Sequence, residues 1–259
     1  MNKSIGGGLN MKTEENDFII GRHPAVAALK SDQEINKVFI QKGLKTDAIS
    51  EIIKLAKQRR LVISNVPKTK LDQLSDHGNH QGVALAVAAY HYASIDDLFA
   101  CAETKGEAPF FLILDELADP HNLGSIMRTA DAAGVHGIII PKRRSVGLTS
   151  VVAKTAAGAL EHVPVARVTN LVQTANELKD RGVWLFGTDM KGTDYRHWDA
   201  KGPVCVVIGN EGKGISSLLK KTCDEMLTIP MLGHVQSLNA SVAASLLIYQ
   251  GFNSRHPLK

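Results

Sequence analysis

Apolar residues recur along this 259-residue chain in two alternating rhythms. Short continuous runs such as Phe110-Phe111-Leu112-Ile113-Leu114 and Val204-Cys205-Val206-Val207-Ile208, bounded by Pro, Gly and Asp, have the length and composition of strands buried on both faces. Between such runs lie segments with apolar positions at helical spacing, as at Ile49, Ile52, Ile53 and Ala56. Over residues 17–92 the pattern predicts helices at 23–30, 46–60 and 68–75 and strands at 37–41, 61–66 and 82–90, which make a small α/β/α unit. Pro24 falls in the first turn of the first helix, where a missing N–H costs little. Residues 93–109 turn acidic and Ala-rich and read as a linker with one short helix. From Phe110 to the end, predicted strands at 110–115, 137–140, 163–166, 183–187, 204–208 and 226–229 alternate with helices at 122–133, 149–159, 170–181, 214–222 and 238–250. That alternation predicts a parallel sheet covered by helices on both faces.

Composition narrows the class. With 44% hydrophobic and 22% charged residues the chain is an ordinary globular one. No run approaches the roughly 20 apolar residues that span a bilayer. Residues 1–16 are polar and Gly-rich, with no signal-peptide core. They read as a disordered leader, with Met11 an alternative start, and the expected location is the cytoplasm. Cys101, Cys205 and Cys223 are widely spaced and form no Cys-x-x-Cys pair, which argues against a disulfide framework or a cysteine zinc site. His77 and His80 have ligand-like spacing but no evident companions, so a surface loop is the reading and no metal is expected. The net charge of +4 is mild, yet unevenly spread. Lys54, Lys57, Arg59, Arg60, Lys68 and Lys70 crowd the first unit, and Lys142-Arg143-Arg144 form a second knot. Clustered cations are the footprint expected for phosphate backbones, and a solvated helix face is the plain alternative.

Three polar clusters follow predicted strands: Asn122-Leu123-Gly124-Ser125-Ile126-Met127-Arg128, Gly209-Asn210-Glu211-Gly212-Lys213-Gly214, and Ser237-Leu238-Asn239-Ala240-Ser241. Ligands of open parallel sheets gather beyond the strand carboxyl ends, so the three clusters suggest one composite site. The familiar nucleotide templates are absent. There is no Gly-x-Gly-x-x-Gly, no Gly-x4-Gly-Lys-Ser/Thr and no Gly-x-Ser-x-Gly elbow.

At these clusters the chain resembles the SpoU, or TrmH-like, family of RNA ribose 2′-O-methyltransferases within the SPOUT superfamily. The matching stretches are Leu114-Asp115 through Asn122 to Arg128, Ile208-Gly209-Asn210-Glu211-Gly212, and Ile229-Pro230-Met231 through Ser237-Leu238-Asn239-Ala240-Ser241. Ile20-Gly21-Arg22 and His80-Gln81-Gly82-Val83 extend the likeness into the first unit. The arrangement is similar to that of bacterial 23S rRNA guanosine 2′-O-methyltransferases, which pair a small ribosomal-protein-like RNA-binding domain with the catalytic one. The domains expected are thus a substrate-binding unit at 17–92 and a methyltransferase unit at 110–259. The resemblance implies a trefoil-knotted C-terminal domain, a homodimer and S-adenosylmethionine as cofactor. It implies that Gly209, Ile229 and Leu238 contact the cofactor largely through backbone groups, and that Thr188, Asn210, Gly212, Met231 and Ser237 line the same pocket. Asn122, Arg128, Glu211, Ser237 and Asn239 would carry or support catalysis, and Arg22, Lys142, Arg143 and Arg144 would meet RNA.

Residue chemistry leaves alternatives open. Asn122 suits a helix N-cap, Glu211 an exposed turn or a brace for the site, and Ser237 with Asn239 a helix start whose free N–H groups attract anions. Ser241 and Ser245 read as small helix-packing residues. Arg128 is either the base for the 2′-hydroxyl or an electrostatic fork. Because arginine keeps its proton at neutral pH, the fork is preferred. Transfer to tRNA, or to an rRNA adenosine, is the enzymatic alternative to a 23S rRNA guanosine; an inactive RNA-binding ribosome-assembly factor is the alternative of another class.

Overall fold

A computed structural model describes residues 18–88, 90–235 and 237–258. The leader expected at 1–16 falls outside the described residues.

The first unit is a four-stranded sheet in the order β1-β4-β2-β3, built from β1 (Phe18–Ile20), β2 (Ile35–Gln41), β3 (Ile63–Val66) and β4 (Val83–Val87). Helices α1 (Arg22–Lys30) and α2 (Asp47–Gln58) close over it through a cluster that includes Ala25, Leu29, Val38, Ile49, Ile52 and Leu85. A third helix, α3 (Lys68–Leu74), follows and buries Leu71. The edge strand β1 was not foreseen, because three residues are too few to show a period. His80 is a correction to the surface-loop reading. It is 5% exposed, with Nε2 3.0 Å from Asp72 Oδ1 and Nδ1 accepting from Gly82 N at 2.9 Å. Arg59, counted among the cations of a phosphate footprint, instead donates to the carbonyls of Ala28 and Leu29 in the last turn of α1 and of Ser31 and Gln33 just beyond it. It thereby satisfies acceptors that the end of a helix leaves bare.

The second unit carries six parallel strands in the order β10-β8-β9-β5-β6-β7. In chain order they are β5 (Phe110–Leu114), β6 (Gly137–Pro141), β7 (Val165–Val168), β8 (Trp184–Asp194), β9 (Val204–Ile208) and β10 (Glu225–Thr228). Two apolar layers flank them. Helices α5 (Pro120–Ala132), α6 (Ser150–Ala156) and α9 (Ala240–Arg255) pack one face around Leu112, Leu114, Val206 and Ile208. Helices α4 (Ile95–Lys105), α7 (Leu171–Asp180) and α8 (Ser217–Thr222) cover the other around Phe111, Ile113, Cys205 and Val207. Alternate residues of β5 and β9 serve opposite layers, which is why these runs are apolar throughout. The segment read as a linker is mostly α4, opened by a Ser94–Asp97 capping box, with Leu98 fully buried in the second layer. It belongs to the sheet domain by packing. The acidic, Ala-rich composition hid its few apolar anchors.

A buried imidazole closes the amino-terminal edge of β5. His136 is wholly buried; its Nδ1 accepts from Phe110 N at 3.1 Å and its Nε2 faces Glu107 Oε2 at 3.1 Å. Burial foremost, then Lys105, pushes its pKa below the usual imidazole value, against the opposing pull of Glu107. The folded protein therefore refuses a proton that the unfolded chain takes up as pH falls below about 6.5, and stability drops with it. Thermal unfolding of wild type is expected to lose midpoint temperature between about pH 6.5 and 5, and His136→Gln to flatten that slope. An unchanged slope in the variant removes His136 as its source.

Candidate active site

The carboxyl ends of β5, β8, β9 and β10 open toward the loops that carry the three polar clusters. Each loop is fixed by a different device. After β5, Asp115 is 4% exposed; its N–H donates to Ile208 O at 2.8 Å and its Oδ2 accepts from Ser216 N at 2.8 Å. One carboxylate thus closes the glycine loop at its far end. Within that loop Asn210 N and Gly214 N donate to each other's carbonyls, at 3.1 and 2.8 Å. The Asn210 side chain accepts from the N–H groups of Gly212 and Lys213 and donates to Glu116 O at 3.2 Å. Gly209 admits no side chain, because a Cβ there would stand 2.2 Å from Gly214 C and 2.3 Å from Ile215 N.

Helix α5 begins earlier than the sequence suggested. Asp119 is the N-cap, accepting from His121 N at 2.9 Å, and Pro120 opens the first turn. Asn122 is not the cap; it lies inside the helix, 6% exposed, and its amide is free for other work. Gly124 in the same motif allows α6 to approach, since a Cβ would come within 2.5 Å of Thr155 Cβ. The N-cap of α9 is Asn239, whose Oδ1 accepts from Ser241 N at 3.0 Å and Val242 N at 3.4 Å.

Glu211 gathers these pieces. Its Oε1 accepts from Asn122 Nδ2 at 2.9 Å, from Asn239 Nδ2 at 2.7 Å and from Ala240 N at 3.0 Å. Asn239 Nδ2 also reaches Asn122 Oδ1 at 3.0 Å. Of the two readings of Glu211, turn carboxylate or brace, these contacts are those of a brace that joins the starts of α5 and α9 to the glycine loop, and it does so without Arg128. The carboxylate also sits at the positive end of α9, a favourable place for an anion.

Other expected residues fall into two groups. Gly209 and Ile229 directly follow β9 and β10, while Thr188 lies within β8 just past the end of its pairing with β9, its Oγ1 donating to Val207 O at 3.1 Å. Strand β8 bulges before pairing again, its register against β10 shifting between Met226 and Leu227. Residues 229–235, 237 and 238 make no backbone–backbone hydrogen bond among the described residues. Met231, Ser237 and Leu238 belong to that stretch. Its bare N–H and C=O groups suit a ligand read through the main chain. Arg128 stands apart. It lies six residues beyond Asn122, about 9 Å along the helix, is exposed, and has no partner among the described residues. Ser237 is exposed as well. Among the expected RNA contacts, Arg22 Nε donates to Gln81 O at 2.9 Å, Arg144 pairs with Glu116 at 2.9 Å, and Arg143 is exposed. Among the described residues no group of three metal-ligating side chains occurs.

Sequence comparison decides the family. The profile of the SpoU rRNA methylase family matches residues 109–249, and that of the RNA 2′-O ribose methyltransferase substrate-binding domain matches residues 18–93. The chain belongs to the SpoU rRNA methylase family. This SpoU chain is thus an RNA 2′-O-ribose methyltransferase with a substrate-binding unit ahead of its catalytic sheet. It is 52% identical over 247 residues to YacO of Bacillus subtilis strain 168, assigned to the TrmH family of tRNA/rRNA methyltransferases; the match covers 95% of this chain and 99% of that protein. The fold is shared with the SpoU methyltransferase AviRb from Streptomyces viridochromogenes in complex with AdoMet, at TM-score 0.59 and 24% identity over 92% of this chain and 90% of the other. It is shared also with the AdoMet-bound rRNA methyltransferase from Sinorhizobium meliloti, at TM-score 0.57 and 24% identity over 93% and 88%.

Sequence reasoning overlooked Asp115 and Asp119 as working residues of this SpoU site. Their only signal was position, one directly after an apolar run and the other before a proline. Replacing Glu211 by Ala strands two amides and a backbone N–H, and should cost about 2 kcal/mol of stability in urea unfolding. Glu211→Gln, which keeps an acceptor oxygen, should cost less than half of that. Equal midpoints for Glu211→Ala and wild type would show that the brace carries no load.

Proposed function

We propose that this chain methylates the ribose 2′-hydroxyl of a guanosine in 23S rRNA, acting as a cytoplasmic homodimer whose carboxyl-edge loops belong to a trefoil-knotted domain. The observation that carries the reading is the Asn122–Glu211–Asn239 cluster, which brings three distant motifs of the chain to one point. The methyl donor is S-adenosylmethionine. When bound it supplies an electrophilic methyl group on a sulfonium whose charge is cancelled in the transfer. Gly209, Ile229 and Leu238 hold it through backbone groups, with Thr188, Asn210, Gly212, Met231 and Ser237 around it. This assignment is supported by the unpaired backbone after β10 and by the side-chain-free approach at Gly209. The apolar ends of β9 and β10 exclude water, which favours a step in which charge is lost.

Asn122 and Asn239, locked by Glu211, set the geometry beside the sugar. Arg128 offers an unpaired guanidinium to a phosphate or to the developing 2′-oxyanion. Arg22 on the first unit and Lys142, Arg143 and Arg144 on the second hold the RNA. Arg60 and Lys142 line one groove of about 220 Å³ between the two units, so basic residues of both converge there. Folded RNA is recognised by shape and unpaired nucleotides, which suits a two-unit clamp better than a single patch.

The dimer is supported by α9. Its inner residues Ala244, Leu247 and Ile248 are buried in the core, while Val242, Leu246 and Tyr249 form a second apolar stripe, with Val242 49% and Tyr249 45% exposed. A helix that is apolar all round calls for cover on both sides. No helix among the described residues is long and apolar enough to cross a membrane.

Two experiments test the reading. Calorimetry with S-adenosylmethionine followed by tritium transfer to naked 23S rRNA and to tRNA is expected to show binding and label in 23S rRNA. Label in tRNA alone would move the substrate, and absence of binding would favour the assembly-factor alternative. Arg128→Lys keeps the charge and loses the fork. It is expected to lower turnover by about a hundredfold, near 3 kcal/mol, with cofactor affinity unchanged. Near-wild-type methylation would remove Arg128 from the mechanism.

A further inference from the structure

Three side chains outside the methyl-transfer site tie the two units together. Asn36 sits where the register of β2 against β4 shifts between Ile35 and Lys37, the extra residue of a bulge. Bulges re-aim a side chain, and this one turns away from its own sheet toward the second unit. Asn36 is 6% exposed and every polar position of its side chain is used. Nδ2 donates to Val87 O at 3.0 Å and to Leu148 O at 3.4 Å, while Oδ1 accepts from the Tyr92 hydroxyl at 2.5 Å and from Arg167 Nη1 at 3.2 Å. The same hydroxyl accepts from Leu148 N at 2.9 Å. From β7, Arg167 donates also to Asn36 O at 2.6 Å and to Lys142 O at 3.4 Å, with its guanidinium 5.1 Å from the centre of the Tyr92 ring.

The loop between β6 and α6 has been shaped to meet this cluster. A Cβ at Gly147 would fall 2.4 Å from Asn36 Oδ1 and 2.7 Å from the Tyr92 hydroxyl, so only glycine allows the approach. The tether is short too: β4 ends at Val87, and Ala93 already bridges to Ala166 of β7, its N–H donating to Val165 O at 2.8 Å. The far side of the same loop is tied toward the glycine loop. Val146 N and Ser145 Oγ donate to Leu117 O, Arg144 pairs with Glu116, and Glu116 O accepts from Asn210.

We propose that Asn36, Tyr92 and Arg167 form a latch that holds the substrate-binding unit in one orientation over the sheet domain, making them positioning residues for the RNA. The inference rests on the reading of the chain as an RNA methyltransferase. Every polar atom of the Asn36 side chain and the Tyr92 hydroxyl is paired, and Arg167 is held through both terminal nitrogens although its Nε has no partner among the described residues. Such a buried polar network specifies one geometry, where an apolar contact tolerates sliding. RNA gripped by the first unit then meets the methyl-transfer loops at a fixed distance, and small misplacements of a reacting group are costly. A loose unit would still bind RNA and still bind cofactor, but would deliver the sugar less often.

Tyr92→Phe and Asn36→Ser in the full-length protein test this. Each variant should raise KM for RNA about tenfold, with kcat and the S-adenosylmethionine Kd within about twofold of wild type. Amide exchange read by mass spectrometry should rise in peptides covering 88–95 and 145–150 and stay unchanged in β5 and β9. A KM that stays at the wild-type value while exchange rises overturns the positioning role. Exchange unchanged at 145–150 overturns the latch itself. Loss of cofactor affinity in step with KM would mean general damage to the fold and count against the proposal. A wild-type protein that transfers no methyl to any RNA overturns the function beneath it, a result distinct from each of these.

Discussion

A single carboxylate oxygen fixes the geometry of the site. Glu211 Oε1 takes three donors from two helix starts, and its partners lie 89, 28 and 29 residues away in sequence. No cation takes part. Neutral amides and the N-terminus of α9 satisfy the charge, which is the pattern found where anions meet helix starts. Had Arg128 neutralised Glu211, the charge of both would have been spent within the protein. Because amides do the work, Arg128 remains without a partner among the described residues and its charge is available to an outside oxygen. One charged residue thus holds shape, and the other keeps an exposed guanidinium without a partner among the described residues.

That clamp works only because the sheet is parallel and its order is shuffled. The order β10-β8-β9-β5 sets four strand edges side by side, two of the three neighbouring pairs being out of chain sequence, so the segments that follow residues 114, 208 and 228 and the bulged part of β8 after Gly187 converge at one edge. Asp115 couples the first to the third through Ile208 O and Ser216 N. The narrow fit at Gly209 and the bare backbone after β10 are two aspects of one requirement. A ligand read by main-chain groups needs strands that end without side chains in the way and without neighbours that consume the N–H and C=O groups.

Much of this was legible in the sequence, and the reasons for the misses are specific. Buried runs at 110–114 and 204–208 declared themselves because both faces of a central parallel strand need apolar residues. The three-residue β1 and the bulge at Asn36 did not, since neither shows a period. The pattern predicts a helix start at Asn122, with a cap as that residue's alternative role; the helix begins earlier, and Asp119 takes the cap, having Pro120 behind it. Likeness to a family marked Glu211 as part of the site, but composition alone offered only a glycine-flanked turn. His80 reads as polar and exposed by type, yet its ring is satisfied on both sides by Asp72 and Gly82 N. Burial of polar residues depends on partners that only the fold supplies.

Basic residues show the same dependence in the opposite sense. Counted along the chain, Arg59 and Arg167 belong to a positively charged protein that meets RNA. In the fold both turn inward, Arg59 onto the carbonyls beyond α1 and Arg167 onto the backbone of the first unit. Arginine suits such work because its rigid fork reaches several acceptors at once. The cations proposed above for RNA, Arg22, Arg60, Lys142, Arg143 and Arg144, are spread over both units. A divided set binds one RNA well only when the two halves keep their spacing, since the second contact gains from the first only if geometry lets both engage. Glu116 and Arg144, paired across the loop that meets the first unit, both hold left-handed backbone, at φ 55° and 59°. Such conformations cost of order 1 kcal/mol each and persist where surroundings impose them. Two of the seven non-glycine residues with positive φ among the described residues thus lie in the segment that links the glycine loop to the first unit, and the contacts around them hold it in that conformation.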